Sequence, residues 1–154
     1  MSEMANWSRW LQASICKHFD DNVDLPMFVE GDPRATKDEV DFFEVRIDGP
    51  DIRLLNPNYW RLDVSINILI QSTINNADTH KIHKQIGLVM DEFDHSINVY
   101  RYGVASEGND DSLLGCLYMI DDPLDVKHFG QLEPRLMLMQ ASIEGKYTMN
   151  IRGT

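Results

Sequence analysis

Between Arg61 and Ile74 the chain reads RLDVSINILIQSTI, and its apolar and polar residues alternate almost without a break. Leu62, Val64, Ile66, Ile68 and Ile70 fall on one side of an extended backbone, while Arg61, Asp63, Ser65, Asn67 and Gln71 fall on the other. A period of two predicts a β-strand with one buried and one wet face. At roughly 3.3 Å per residue such a strand reaches about 46 Å. A compact chain of 154 residues is only about 40 Å across. Two remedies exist for a strand that outruns its own domain. It projects, and a neighbouring subunit covers its apolar face and unpaired backbone groups. Or it bends at a bulge, here near Leu69, and folds back on its own domain. Alternation alone leaves both open.

A second such ribbon covers Gln140 to Ile151, where Ala141, Ile143, Tyr147, Met149 and Ile151 alternate with Gln140, Ser142, Glu144, Lys146 and Thr148. Shorter strands are expected at Phe43-Val45-Ile47, at INVYRYG and at SLLGCLYMI, the last two joined by the acidic loop VASEGNDD. Asp48-Gly49-Pro50 and Asn56-Pro57-Asn58 read as bends that let neighbouring strands pair antiparallel.

Helical spacing appears twice. Met4, Trp7, Leu11 and Ile15 form an apolar stripe on a first helix from about Glu3 to Phe19, with Ser2 as its cap. Trp10 lies off that stripe, as a partly buried flank or as an anchor for a neighbouring chain. Ile82, Ile86, Val89 and Phe93 predict a second helix over 78–94, capped by Asp78 and stapled by Ala77. Gly87 inside it costs about 1 kcal/mol relative to Ala, and either permits close packing on a sheet or is incidental. The expected fold is α+β in one domain: an antiparallel β-sheet with long amphipathic strands and two main helices packed on one face. Its segments are residues 1–22 as N-terminal helix, 23–41 as an irregular connector pinned by Phe28 and Val29, and 42–151 as sheet with its helix.

Composition narrows the class. With 43 % apolar residues the chain can build a core, and disorder is not expected. The longest apolar run falls short of the ~18 residues a membrane span needs, and the start, MSEMANWSRW, lacks the pattern of a secretion signal. A cytoplasmic product is therefore expected. Cys16 and Cys116 read as reduced core residues. A net charge of −11, from 25 acids and 14 bases, argues against general nucleic-acid binding. The same charge suits a wall that lets DNA slide past, or solubility alone.

Catalytic signatures are not found. There is no phosphate-cradling glycine loop, no Gly-x-Ser-x-Gly elbow and no Cys-x-x-Cys pair. His80 and His83 sit three apart, but a metal needs a third or fourth ligand and spacing offers none, so they read as polar helix surface. EGNDDS lacks the ligand alternation of a calcium loop. Neither an enzyme, a cofactor nor a metal is expected. The rival reading is a small monomeric α+β binding or enzymatic domain with its site at His80, His83 and the acidic loop.

Taken in order, IDGPDIR, NYWRLDVSINILIQ, DTHKIHKQIGLVMDEF, VYRYG, SLLGCL and HFGQ resemble tailed-bacteriophage neck and tail-completion proteins, of tail-terminator type. The resemblance spans roughly residues 42–151. It implies a non-enzymatic virion structural protein at the head–tail junction, assembled in the host cytoplasm. The protein would be a homo-oligomeric ring, commonly a hexamer, between a head connector or adaptor protein and the tail tube protein. It would end the tube and leave a channel through which DNA passes without specific binding, with no membrane involved. By position in the matched strings, the candidate ring contacts are Arg61, Asp63, Ser65, Asn67, Glu144 and Lys146, with Tyr100, Arg101 and Tyr102 flanking. Glu107, Asp110 and Asp111 are the candidate lumen- or partner-facing tip. Another neck station, head closure or tail tube, is the alternative.

Overall fold

A computed structural model describes residues 4–29, 41–73, 80–101, 112–120, 124–131 and 138–152. In chain order it forms α1 (Met4–Asn22), β1 (Met27–Val29), β2 (Phe42–Asn56), β3 (Tyr59–Thr73), α2 (Lys81–Met90), β4 (Ser96–Arg101), β5 (Ser112–Met119), β6 (Asp125–Gln131) and β7 (Leu138–Arg152). The strands build one sheet in the order β1-β2-β3-β7-β5-β4, and β6 also pairs with β7.

The fold is α+β, but the sheet is mixed. β1 runs parallel to β2, with Met27 opposite Phe43 and Val29 opposite Val45. Two expectations are corrected by this: the sheet is not purely antiparallel, and residues 23–41 are not wholly irregular. A three-residue strand is too short to show any period. β6, DVKHFGQ, is not legible in the sequence either, because only its pairing along Met139–Glu144 identifies it.

Within the chain, the bend foreseen for the long strand is not adopted. β3 is a central strand, paired with β2 on one edge and with β7 on the other. Its register with β7 runs unbroken from Tyr59↔Arg152 to Thr73↔Leu138, and no bulge occurs at Leu69. The two overlong ribbons pair with one another along their full length. Their inner row is the centre of the core: Leu62, Ile66, Ile68, Ile70, Ala141, Ile143 and Tyr147 are fully buried. Burying each Ile or Leu stabilises the fold by about 1.5–3 kcal/mol.

Both helices contribute to that core. α2 buries Ile82, Gln85, Ile86 and Val89, and α1 buries Trp7, Trp10, Leu11, Ser14, Ile15 and Phe19. Trp10 is thus inside, not on a flank. α1 meets the edge strand β4 as well as the sheet's inner face: the Tyr100 N–H donates to Ser14 Oγ at 3.0 Å, and the Arg101 guanidinium lies 5.4 Å from the Trp10 ring centre. A helix in contact with a face and an edge buries a wider sector than the narrow stripe its spacing suggests.

α2 ends at Met90, before the expected 94. After Met90 the chain tightens, with the Glu92 and Phe93 N–H groups donating to Val89 and Met90 carbonyls at 3.1 and 3.0 Å. Phe93 then packs where Gly145 leaves room in β7. Gly87 faces open space, so it serves no close approach. The expected caps and staple at Ser2, Asp78 and Ala77 lie outside the described residues.

Asp48-Gly49-Pro50 does not reverse the chain. β2 continues through it with a register shift between Asp48 and Asp51. Gly49 takes φ 104°, and a Cβ there would stand 2.9 Å from the Asp63 carbonyl. Reversal comes at Asn56, whose Oδ1 accepts from the Asn58 and Tyr59 N–H groups at 2.9 and 3.0 Å.

One clamp ties three elements together. Asp41 accepts from the Thr73 N–H at 2.8 Å, from the Thr73 hydroxyl at 3.2 Å and from Lys81 Nζ. Burial alone would raise its pKa; the Lys81 and Thr73 bonds more than offset that, holding the carboxyl below its usual 3.8. A lowered folded pKa means stabilisation that is complete above the unfolded value and is lost as pH falls through the folded one. Asp41→Ala is expected to cost about 1–2 kcal/mol at pH 7. Urea unfolding at pH 7 and pH 3 checks this: the gap between parent and variant should narrow at pH 3.

Candidate functional site

The face of β2, β3 and β7 opposite the core row is polar. It displays Arg61, Asp63, Ser65 and Asn67 from β3, and Glu144 and Lys146 from β7. The register sets Ser65 across from Lys146 and Asn67 across from Glu144. Six of the sequence candidates therefore share one surface, brought together by a pairing that their spacing alone does not reveal.

They are knitted into a mixed-charge lattice. Arg61 Nε donates to Asp63 Oδ1 at 2.9 Å, the Ser65 hydroxyl to Glu144 Oε1 at 3.2 Å, and Asn67 Nδ2 to Asp48 Oδ2 at 3.1 Å. On β2, Arg46 Nε donates to the buried Glu44 at 2.9 Å. Burial pushes the Asp63 pKa up, but hydrogen bonds from Thr148 and Arg61 and the charges of Arg61 and Arg53 outweigh it, so the carboxyl sits below its usual value. Beside the bulge lies a groove of about 390 Å³ between Asp48, Asp51, Arg53, Asp63, Ser65 and Lys146. A face of carboxylates set beside cations, with Asp63 held ionised by Arg61, suits recognition of a complementary protein surface.

At one end of this face the β2–β3 hairpin leaves the core. Leu54, Leu55 and Tyr59 are 56, 53 and 46 % exposed around the Asn56 turn. Tyr118 of β5, paired with Thr148, is also exposed. None of these four was singled out from sequence. The available signal was three large apolar residues beside a turn of polar residues and proline, where solvated hairpins carry few.

Tyr100 and Arg101 do not join this surface. They belong to β4 and are engaged with α1, Tyr100 through its N–H to Ser14 and Arg101 over the Trp10 ring. Tyr102, Glu107, Asp110 and Asp111 lie outside the described residues. His80 and His83 have ring centres 6.3 Å apart, and His128 of β6 comes within 5.3 Å of His83. His128 is the neighbour that spacing could not show, because β6 itself was not legible. Cys16 is buried and Cys116 half-buried, and neither is in a disulfide. No described helix is long and apolar enough to cross a membrane.

No protein-family model matches the chain, and neither does any curated protein sequence.

Proposed function

We propose that this chain is a non-enzymatic structural subunit of a tailed-bacteriophage neck, of tail-terminator type. Copies form a ring, commonly of six, that ends the tail tube, meets the head connector and leaves a channel for DNA. The proposal starts from the ordered strings IDGPDIR to HFGQ. The observation that carries it is the hairpin tip, where Leu54, Leu55 and Tyr59 stand exposed beside a sheet face of paired charges. Apolar side chains gathered at an extended tip with polar surroundings mark a surface that another protein covers. Since β3 and β7 pair within one chain, the ring contacts of this reading run through side chains of the tip and outer face rather than through strand addition.

Native mass spectrometry at micromolar concentration should give a discrete oligomer. The triple variant Leu54→Ser, Leu55→Ser, Tyr59→Ser should give monomer with an unchanged unfolding midpoint. A parent chain that stays monomeric, alone and with neck partners, overturns the assignment. The same tip also fits another neck station, and electron microscopy with tail tubes separates the two: a terminator caps tube ends, whereas a tube subunit polymerises openly.

A further inference from the structure

Away from the sheet's outer face, the C-terminal part of α1 meets the turn that follows α2, and donors of another kind converge there. His18, Glu92 and Asp94 offer an imidazole nitrogen and two carboxylate oxygens, all within 4.8 Å of one another; among the described residues they are the one such group of His, Cys, Asp and Glu. His18 Nε2 is 3.5 Å from Asp94 Oδ2 and 2.8 Å from the Glu92 main-chain oxygen. We propose that these residues bind a first-row divalent cation, with Zn²⁺ the best match.

The separations carry the argument. Ligand bonds of about 2.0–2.2 Å place adjacent ligands roughly 2.8–3.6 Å apart around one ion; the 3.5 Å between His18 Nε2 and Asp94 Oδ2 falls in that interval, and a Glu92 carboxylate oxygen lies within 4.8 Å of both. On binding, Nε2 gives up its contact with the Glu92 main-chain oxygen and presents its lone pair to the cation, the neutral imidazole carrying its one proton on Nδ1. An imidazole combined with oxygen donors suits Zn²⁺ and Mn²⁺ rather than thiophilic ions.

The site is also built on fixed backbone. The Glu92 N–H is held by the Val89 carbonyl at 3.1 Å, and the Asp94 carbonyl accepts the Tyr147 hydroxyl at 2.7 Å. Phe93 between them is buried, 5.1 Å ring to ring from Phe19, the residue after His18. An adjoining groove of about 320 Å³ reaches Ser14, Lys17 and Asn98, leaving room for water to complete the coordination shell. The histidines at 80, 83 and 128 do not bring their ring nitrogens together in this way.

Isothermal titration of the full chain with ZnCl₂ after chelator treatment should show one site per chain. Asp94→Asn and Glu92→Gln should each weaken it roughly tenfold or more, and His18→Gln should abolish it. Circular dichroism confirms that each variant is folded. Paramagnetic Ni²⁺ should broaden the His18 imidazole resonances before those of His80 and His83. The control His80→Gln, His83→Gln should bind as the parent does. Absence of Zn²⁺ binding overturns the proposal, as does binding that survives Glu92→Gln with Asp94→Asn but is lost in the His80, His83 control. Neither outcome bears on ring formation, which is read from mass.

Discussion

Trp10→Ala is expected to destabilise the fold by about 3–5 kcal/mol, the range for removing a large aromatic side chain from a core. Trp10 is only 4 % exposed. Its ring meets Trp7 edge-on at 5.5 Å and carries the Arg101 guanidinium 5.4 Å from its centre. Truncation therefore opens a cavity between α1 and the sheet and removes a cation–π contact of about 0.5–2 kcal/mol. That cost is not separable from the rest, since Ser14 and Tyr100 join the same helix to the same strand. Trp10→Phe should retain more than half of the lost stability. Urea unfolding with an unchanged m-value is the measurement. A loss below about 0.5 kcal/mol, ordinary for exposed sites, would return Trp10 to the role of a surface anchor.

Gly145→Val should cost about 3 kcal/mol, at the upper end for overpacking a well-filled interior. Gly145 lies in the inward row of β7, where a Cβ would stand 2.7 Å from two Phe93 ring carbons and 3.0 Å from Leu124 Cδ2. Phe93 has little freedom to yield, because it is buried and its other side meets Phe19. Displacing the 92–94 turn would also strain the Tyr147 hydroxyl bond to the Asp94 carbonyl, two residues along β7. A double-mutant cycle identifies the cause: in a Phe93→Leu background the same substitution should cost at least 1 kcal/mol less. Equal costs in both backgrounds would show that the Phe93 contact is not what makes glycine necessary here. The variant further tests the link between core and cation site, since it moves Glu92 and Asp94 while leaving both donors in place.

Much of the architecture was legible before any coordinates. The period of two in β3 and β7 marked both ribbons and sorted their residues correctly into inner and outer rows. The period of 3.6 located both helices to within a few residues. Alternation does not state which strands pair, and within the chain the long strand's partner is the ribbon 79 residues further along. The same blindness concealed β1 and β6, whose identity as strands comes from their neighbours.

The candidate sites divide along the same line. Alternation placed Arg61, Asp63, Ser65 and Asn67 on a wet face, yet only the β3–β7 register set them against Glu144 and Lys146. It could not foresee that Tyr100 and Arg101 belong to a different edge, nor that His18 stands beside residues 92 and 94. Local patterning by itself determined which residues point inward and which outward, because side-chain direction follows from backbone period within a single element. The tertiary structure decided which elements meet, because pairing and packing are contacts between residues distant in the chain, whose free energy belongs to the pair and is carried by neither sequence segment alone.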